Sequence, residues 1–201
     1  MQSTGIINAG GKSSRMGTNK ALLKINGKTV IETIAEQLTK VVSDLIIVTN
    51  TPEQYEFLGI PMVEDKWKGM GPLAGIHAGL AASKTDKNLV VACDMPFISP
   101  ELGRILLNYL DNYAAVVPKM TDHLHPLFAA YRKDVQAEIH KSLQNEQLRI
   151  RAFLQNVKTK IVTEEDLKEL GFPYEASYFF NMNDPEEFEA ALKIASETNT
   201  K

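Results

Sequence analysis

The chain has a single cysteine, Cys93, which excludes an internal disulfide and fits a reducing compartment. It also lacks a surplus of basic residues: 22 Lys and Arg stand against 25 Asp and Glu, for a formal net charge of −3. That balance argues against a broad nucleic-acid-binding face, so an anionic ligand has to be held by a local site. No apolar run approaches the roughly 20 residues that cross a bilayer, and the start has neither the cationic stretch nor the apolar core of a secretory signal. Neither a membrane nor a nucleic-acid partner is expected, and the expected location is the cytoplasm. Repeats, low-complexity segments and long linkers are missing too, so the 201 residues, 44% of them hydrophobic, are read as one domain over 1–201.

What the chain does have is a short apolar run that stops at paired glycines, in the stretch Gly5 to Lys20, GIINAGGKSSRMGTNK. A strand that ends in such a loop suits phosphate. Glycine lets the backbone N–H groups approach an anion closely, and Lys12, Arg15 and Lys20 can then close over its charge. Two familiar loops are excluded by register. A Walker loop needs glycine five residues before the glycine of its Gly-Lys pair, and Ile6 stands there. The dinucleotide fingerprint needs a third glycine where Ser14 stands.

Further along, apolar runs alternate with segments of helical spacing. Strands are expected near residues 4–9, Leu45–Val48, Ile60–Val63 and Leu89–Cys93, with helices near Val30–Val41, Glu53–Leu58, up to Ala82 after Gly71-Pro72, and after Ser99-Pro100. Asn26-Gly27 is a tight-turn signal. Later come strands near Tyr113–Pro118, His125–Tyr131, Lys160–Thr163 and Tyr178–Asn181, helices near Lys133–Leu143 and Arg149–Leu154, and a last helix from Pro185. The pattern predicts an α/β fold with a mostly parallel sheet flanked by helices and some later antiparallel strands.

In an open parallel sheet the ligand lies beyond the carboxyl ends of the strands. Four of these strands end in Asn8-Ala9-Gly10, Asn50, Asp65 and Asp94. Any one Asn or Asp at a strand end could simply favour a turn, but four with a glycine loop mark one functional edge. Asp94 is the candidate ligand for Mg²⁺, a hard cation that takes one or two carboxylates and completes its shell with phosphate oxygens and water. His123 and His125 are too few donors for a transition-metal site. Cys93 is read as a small core residue.

The stretch Asn8-Ala9-Gly10-Gly11, Arg15-Met16-Gly17 and Lys20 resembles the signature loop of nucleotidyltransferases, L-A-G-G-x-x-x-R-M-G-x-x-K, with Asn8 as its one departure. The Cys93-Asp94-Met95-Pro96 segment, Gly71-Pro72-Leu73-Ala74-Gly75 and Asn181-Met182-Asn183-Asp184-Pro185 extend the resemblance, from about residue 5 to 190, to molybdenum cofactor guanylyltransferases. The resemblance implies a Rossmann-like nucleotidyltransferase fold and transfer of GMP from GTP to the phosphate of molybdopterin cofactor, with Mg²⁺ and release of pyrophosphate. It implies catalytic roles for Arg15, Lys20 and Asp94, metal binding at Asp94, and nucleotide contacts from Asn8, Ala9, Gly10, Gly11, Lys20, Asn50, Asp65, Gly71, Gly75 and Asp94. It also implies acceptor contacts from Asn181 and Asn183, with the nucleotide half at about 1–98 and the acceptor half at about 99–195. Cofactor-delivering and molybdoenzyme-maturation proteins are the implied protein partners. For Gly71 and Gly75 tight helix packing is an equal reading, and Asn183 or Asp184 could instead cap the last helix. Other small nucleotidyltransferases, acting on a sugar phosphate or adding cytidine to the cofactor, and a noncatalytic nucleotide sensor are the alternatives.

Overall fold

The structure, a computed structural model, describes residues 2–10 and 19–198. Strand β1 (Ser3–Asn8) is followed by the hairpin β2 (Lys24–Ile25) and β3 (Lys28–Thr29), helix α1 (Val30–Leu38), β4 (Asp44–Val48), β5 (Met62–Val63), α2 (Pro72–Ala82) and β6 (Lys87–Ala92). Then come α3 (Pro100–Tyr109), β7 (Ala115–Met120), β8 (His123–Leu124), β9 (Phe128–Arg132), α4 (Gln136–Gln144), α5 (Ile150–Gln155), β10 (Thr159–Thr163), α6 (Glu164–Glu169) and α7 (Pro185–Thr198). Among the described residues no helix is long and apolar enough to cross a membrane.

Local chemistry explains many of these boundaries. Thr29 accepts the Glu32 N–H while the Glu32 carboxylate takes the Thr29 N–H, a reciprocal cap that starts α1, and Thr163 and Asp166 do the same for α6. Ser99 caps α3 just before Pro100. Asn26 and Gly27, at φ 52° and 83°, form the primed turn that closes the β2–β3 hairpin.

The sheet runs in the order β10-β7-β9-β6-β1-β4-β5, with β8 paired to β7. Strands β5, β4, β1 and β6 are parallel neighbours; β9 is antiparallel to both β6 and β7, and β10 is parallel to β7. Among the later strands only β8 and β9 therefore run against the rest, while β7 and β10 share the direction of the first group. Ile7, Leu89, Val91, Phe128 and Ala130 face a core completed by α1, α3, α6 and α7. Ile6, Val90, Ala129 and Tyr131 face the opposite core, with α2, α4 and α5. Strand β1 is buried on both faces, which is why it reads as a continuous apolar run instead of an alternating one. Truncating Ile6 or Ile7, both fully buried, to alanine would cost about 2–5 kcal/mol.

Two expected elements differ. Glu53–Leu58 forms two short 3₁₀ turns in place of one helix. Tyr178–Asn181 is not a strand. Its aromatic residues have high β-propensity, yet the backbone closes into a 3₁₀ turn over Ala176–Phe179, with Phe180 N–H bonded to Ser177 O at 3.0 Å. Phe179 is buried there against His125 and Phe128, at ring separations of 4.2 and 5.6 Å. Tertiary burial decides against the local preference.

Candidate active site

From β1 the chain moves outward to β4 and β5, whereas from β6 it continues on the other side to β7, β9 and β10. The seam between β1 and β6 is thus the switch point, beyond whose carboxyl ends a crevice opens in folds of this kind. Cys93 N–H bonds Asn8 O at 3.1 Å across the seam. Lys20 stands beside this seam, and the segment leaving β6 carries Asp94.

Lys20 Nζ lies 3.1 Å from Asp94 Oδ2 and 3.1 Å from Asn183 Oδ1. The charged pair is largely shielded, with side-chain exposures of 17% and 18%, so its electrostatics are stronger than those of a surface pair. The third member arrives from far along the chain because Met182 N–H bonds Asp94 O at 3.0 Å, pinning the 181–183 segment to the end of β6. Asp184 resolves the capping question. Its Oδ1 accepts Glu187 N–H at 2.9 Å at the start of α7, while the Glu187 carboxylate takes the Asn183 N–H, so the Asn183 side chain is left for Lys20. Asn181 donates to Phe179 O at 3.2 Å and remains partly exposed.

A second group forms the wall beside β1. Gly71 begins α2 at φ 76° and ψ −167°, a conformation costly for any residue with a Cβ. Asn8 Nδ2 reaches Pro72 O at 3.4 Å, and its amide lies where a Cβ on Gly75 would come within 2.5 Å. One turn on, a Cβ on Gly79 would meet Ile6 Cγ2 at 2.4 Å. The tight-packing reading of Gly75 therefore holds, and the same packing presses the first turn of α2 against the end of β1. Ala9 is buried, and its N–H bonds Val48 O at 2.8 Å; Gly10 follows it and is exposed.

Asn50 is exposed at the end of β4. Asp65 is 8% exposed beyond β5 and accepts Trp67 N–H at 2.8 Å, an Asx turn that fixes its carboxylate. A cavity of about 680 Å³ is lined by Trp67, His77, Gln136 and His140 among others, and by none of Lys20, Asp94 and Asn183. Burial, then the charge of His140, lowers the His77 pKa. The Gln136 amide 2.6 Å from its Nε2 suits a neutral ring that accepts there. Burial and the neighbouring Asp94 charge push the Cys93 thiol up to about 12, as suits an unreactive thiol, and the side chain is partly buried against the core instead of within it. Gly11, Lys12 and Arg15 lie outside the described residues.

Reasoning from sequence missed Asn19, whose side chain caps the turn carrying Lys20 and reaches Gln54 and Tyr55. Its position just before that turn is a capping signal, but partners 35 and 36 residues away have no local signature.

Among the described residues no group of three or more His, Cys, Asp or Glu side chains stands close enough to hold a metal by itself. Asp94 offers a single hard oxygen ligand beside a cation. That donor set fits Mg²⁺ bound jointly by one carboxylate, phosphate oxygens and water.

A mostly parallel sheet flanked by helices on both faces is the Rossmann-like fold of nucleotidyltransferases. The chain belongs to the MobA-like NTP transferase domain family, whose match spans residues 5–161. It is 40% identical over 200 residues to a protein of Pelotomaculum thermopropionicum named "Probable molybdenum cofactor guanylyltransferase", covering 100% of this chain and 97% of that one. A protein of the same name from Carboxydothermus hydrogenoformans is 37% identical, with 94% and 95% covered. Among solved structures, molybdopterin-guanine dinucleotide biosynthesis protein A from Archaeoglobus fulgidus superposes with a TM-score of 0.82 at 28% identity, covering 96% of this chain and 99% of that chain.

Proposed function

We propose that the protein is a Mg²⁺-dependent guanylyltransferase that transfers GMP from GTP to the terminal phosphate of molybdenum-molybdopterin cofactor. The observation that carries this is the convergence of Lys20, Asp94 and Asn183 at the β1–β6 seam, in a chain whose relatives bear that activity in their names. An oxygen of the acceptor phosphate forms the new bond to the α-phosphorus of GTP while the bond to the β-phosphate oxygen breaks, and pyrophosphate leaves with the electron pair. The acceptor is already an anionic nucleophile, so the reaction needs alignment and charge neutralisation more than a general base.

Lys20 neutralises charge on the transferring and departing phosphates, with Arg15 as the second cation of the loop. Asp94 would hold Mg²⁺, which when bound neutralises phosphate charge and orients the departing pyrophosphate. The loop glycines Gly10 and Gly11, Asn8 and Ala9, and the first turn of α2 at Gly71 and Gly75 form the nucleotide wall. The N-terminal end of α2 there favours negative charge. Asn50 and Asp65 hold the guanosine, for which a carboxylate is apt because guanine presents N1–H and the N2 amino group together as donors. Asn181 and Asn183 face the acceptor. The nucleotide half, about 1–98, and the acceptor half, about 99–195, then meet where Asn183 touches Lys20. The cytoplasm is the proposed location, and cofactor-delivering and molybdoenzyme-maturation proteins are the proposed partners.

The test is titration of GTP, ATP, CTP and UTP with and without Mg²⁺, followed by pyrophosphate release on addition of molybdopterin cofactor. GTP is expected to bind most tightly and release to require the cofactor. Equal affinity for ATP would remove the guanine assignment, and binding without release would leave a nucleotide sensor.

A further inference from the structure

We propose that Asn19 is a positioning residue for Lys20, anchored to the Gln54-Tyr55 turn. The proposal rests on the reading of Lys20 as the charge donor. A lysine has a long flexible stem, so its ammonium is placed by two things: what it meets at the tip and how its backbone is held at the root. At the tip are Asp94 and Asn183. At the root, Asn19 Oδ1 accepts Ala21 N–H at 3.1 Å, and Asn19 Nδ2 donates to Gln54 Oε1 at 2.6 Å and to Tyr55 OH at 2.8 Å.

The anchor is rigid. Tyr55 is 1% exposed and belongs to the core beneath α1, and burial raises its pKa to about 12, so the hydroxyl stays protonated. Ala21, on the other side of Lys20, is fully buried. Capping the 3₁₀ turn over Lys20–Leu22 needs only an acceptor, which serine supplies equally well. The two donor contacts to a different part of the fold are surplus to capping. They determine where the turn sits relative to the end of β4, and hence the direction in which Lys20 leaves the backbone. Asparagine is the shortest side chain that offers an acceptor and two donors at once.

Asn19→Ser separates the two roles, because it keeps the cap and loses the anchor. The expected result is a fall in kcat on the order of 10-fold, the scale of a sub-ångström misplacement of a reacting group, with the GTP Kd within about twofold of the parent. Tyr55→Phe, which keeps the ring and removes one partner, should give a smaller loss of the same kind, and Asn19→Asp should lose less than Asn19→Ser, because the Tyr55 hydroxyl can turn to donate and the Gln54 amide can flip to present its Nε2. In a Lys20→Ala background Asn19→Ser should cost nothing further in single-turnover measurements, since the group it positions is gone. Losses that multiply in the double variant would indicate a merely structural role and overturn the proposal. So would parental kcat in Asn19→Ser alongside a disabled Lys20→Ala, which leaves the functional reading intact. Parental turnover in Lys20→Ala by itself would remove the role of Lys20 and this proposal with it.

Discussion

At Lys20, the ammonium bonds Asp94 Oδ2 and Asn183 Oδ1 and is largely shielded from solvent. A fixed cation in such a place stabilises developing charge without having to reorganise. Lys20→Ala is expected to cut turnover about 100-fold or more, the usual scale for one preorganised charge donor. Steady-state kinetics check it, since a loss confined to KM would mean that the lysine grips only the ground state. Asp94→Asn keeps the shape and still offers Lys20 an acceptor, but it lacks the charge that holds a divalent cation. It should fold like the parent and lose Mg²⁺-dependent turnover. A Mg²⁺ titration of pyrophosphate release decides the matter; near-parental activity with unchanged metal dependence would place the metal on another residue.

At the scale of elements, α7 and α2 each separate a packing role from a site role within a few residues. Asp184 caps α7 while its neighbour Asn183 reaches Lys20. Asp184→Ala should therefore cost about 1 kcal/mol of stability, a fall in Tm of about 2–4 °C for a chain of this size, with turnover nearly kept. Asn183→Ala should do the reverse, because its main-chain bond to Glu187 survives the substitution. Thermal melts and kinetics on the two variants would show the crossed pattern, or refute it by showing equal effects. In α2, a methyl at Gly75 comes nearest the whole amide group of Asn8, a side chain that can rotate away, whereas a methyl at Gly79 meets Ile6, a branched side chain locked in the core. Gly79→Ala is expected to destabilise by about 1–3 kcal/mol. Gly75→Ala should be milder in urea denaturation and should instead weaken GTP binding, as Asn8 is displaced from Pro72.

For the whole molecule, two partly or fully buried histidines set a pH dependence. Burial, then the charge of a neighbouring histidine, lowers the pKa of both His77 and His125. Around His77 the facing groups are His140, Asp65, Lys66 and the Gln136 amide; His125 lies near His123 and against Phe179. Their folded pKa values lie below the unfolded value of about 6.5, so below that pH the unfolded chain binds more protons. The contribution of the neutral rings is complete above the unfolded pKa and is lost as pH falls below it. The carboxylates with lowered pKa values, such as Asp166, lose their contribution only at lower pH, which keeps the two effects apart. Tm should drop by a few degrees between pH 7.5 and 5.5. The drop should shrink in a His77→Gln, His125→Gln double variant, and an unchanged pH slope there would assign the effect to other groups.

The sequence by itself determined the alternation of strands and helices, the tight turn at Asn26-Gly27, the caps at Ser99 and Pro100, and the four polar strand ends, because each depends on periodicity or on neighbours a few residues apart. The edge formed by Asn8, Asn50, Asp65 and Asp94 was legible for the same reason: parallel strands joined by helical crossovers must end on one side. Tertiary structure alone decided the rest. It turned the aromatic run at Tyr178 into a 3₁₀ turn because Phe179 gains more by burial against His125 and Phe128 than by pairing in a sheet. It assigned capping to Asp184 and left Asn183 for Lys20, a contact across 163 residues, and it tied Asn19 to Tyr55. Contacts of that range are selected by the packing of the whole chain, so no local pattern encodes them.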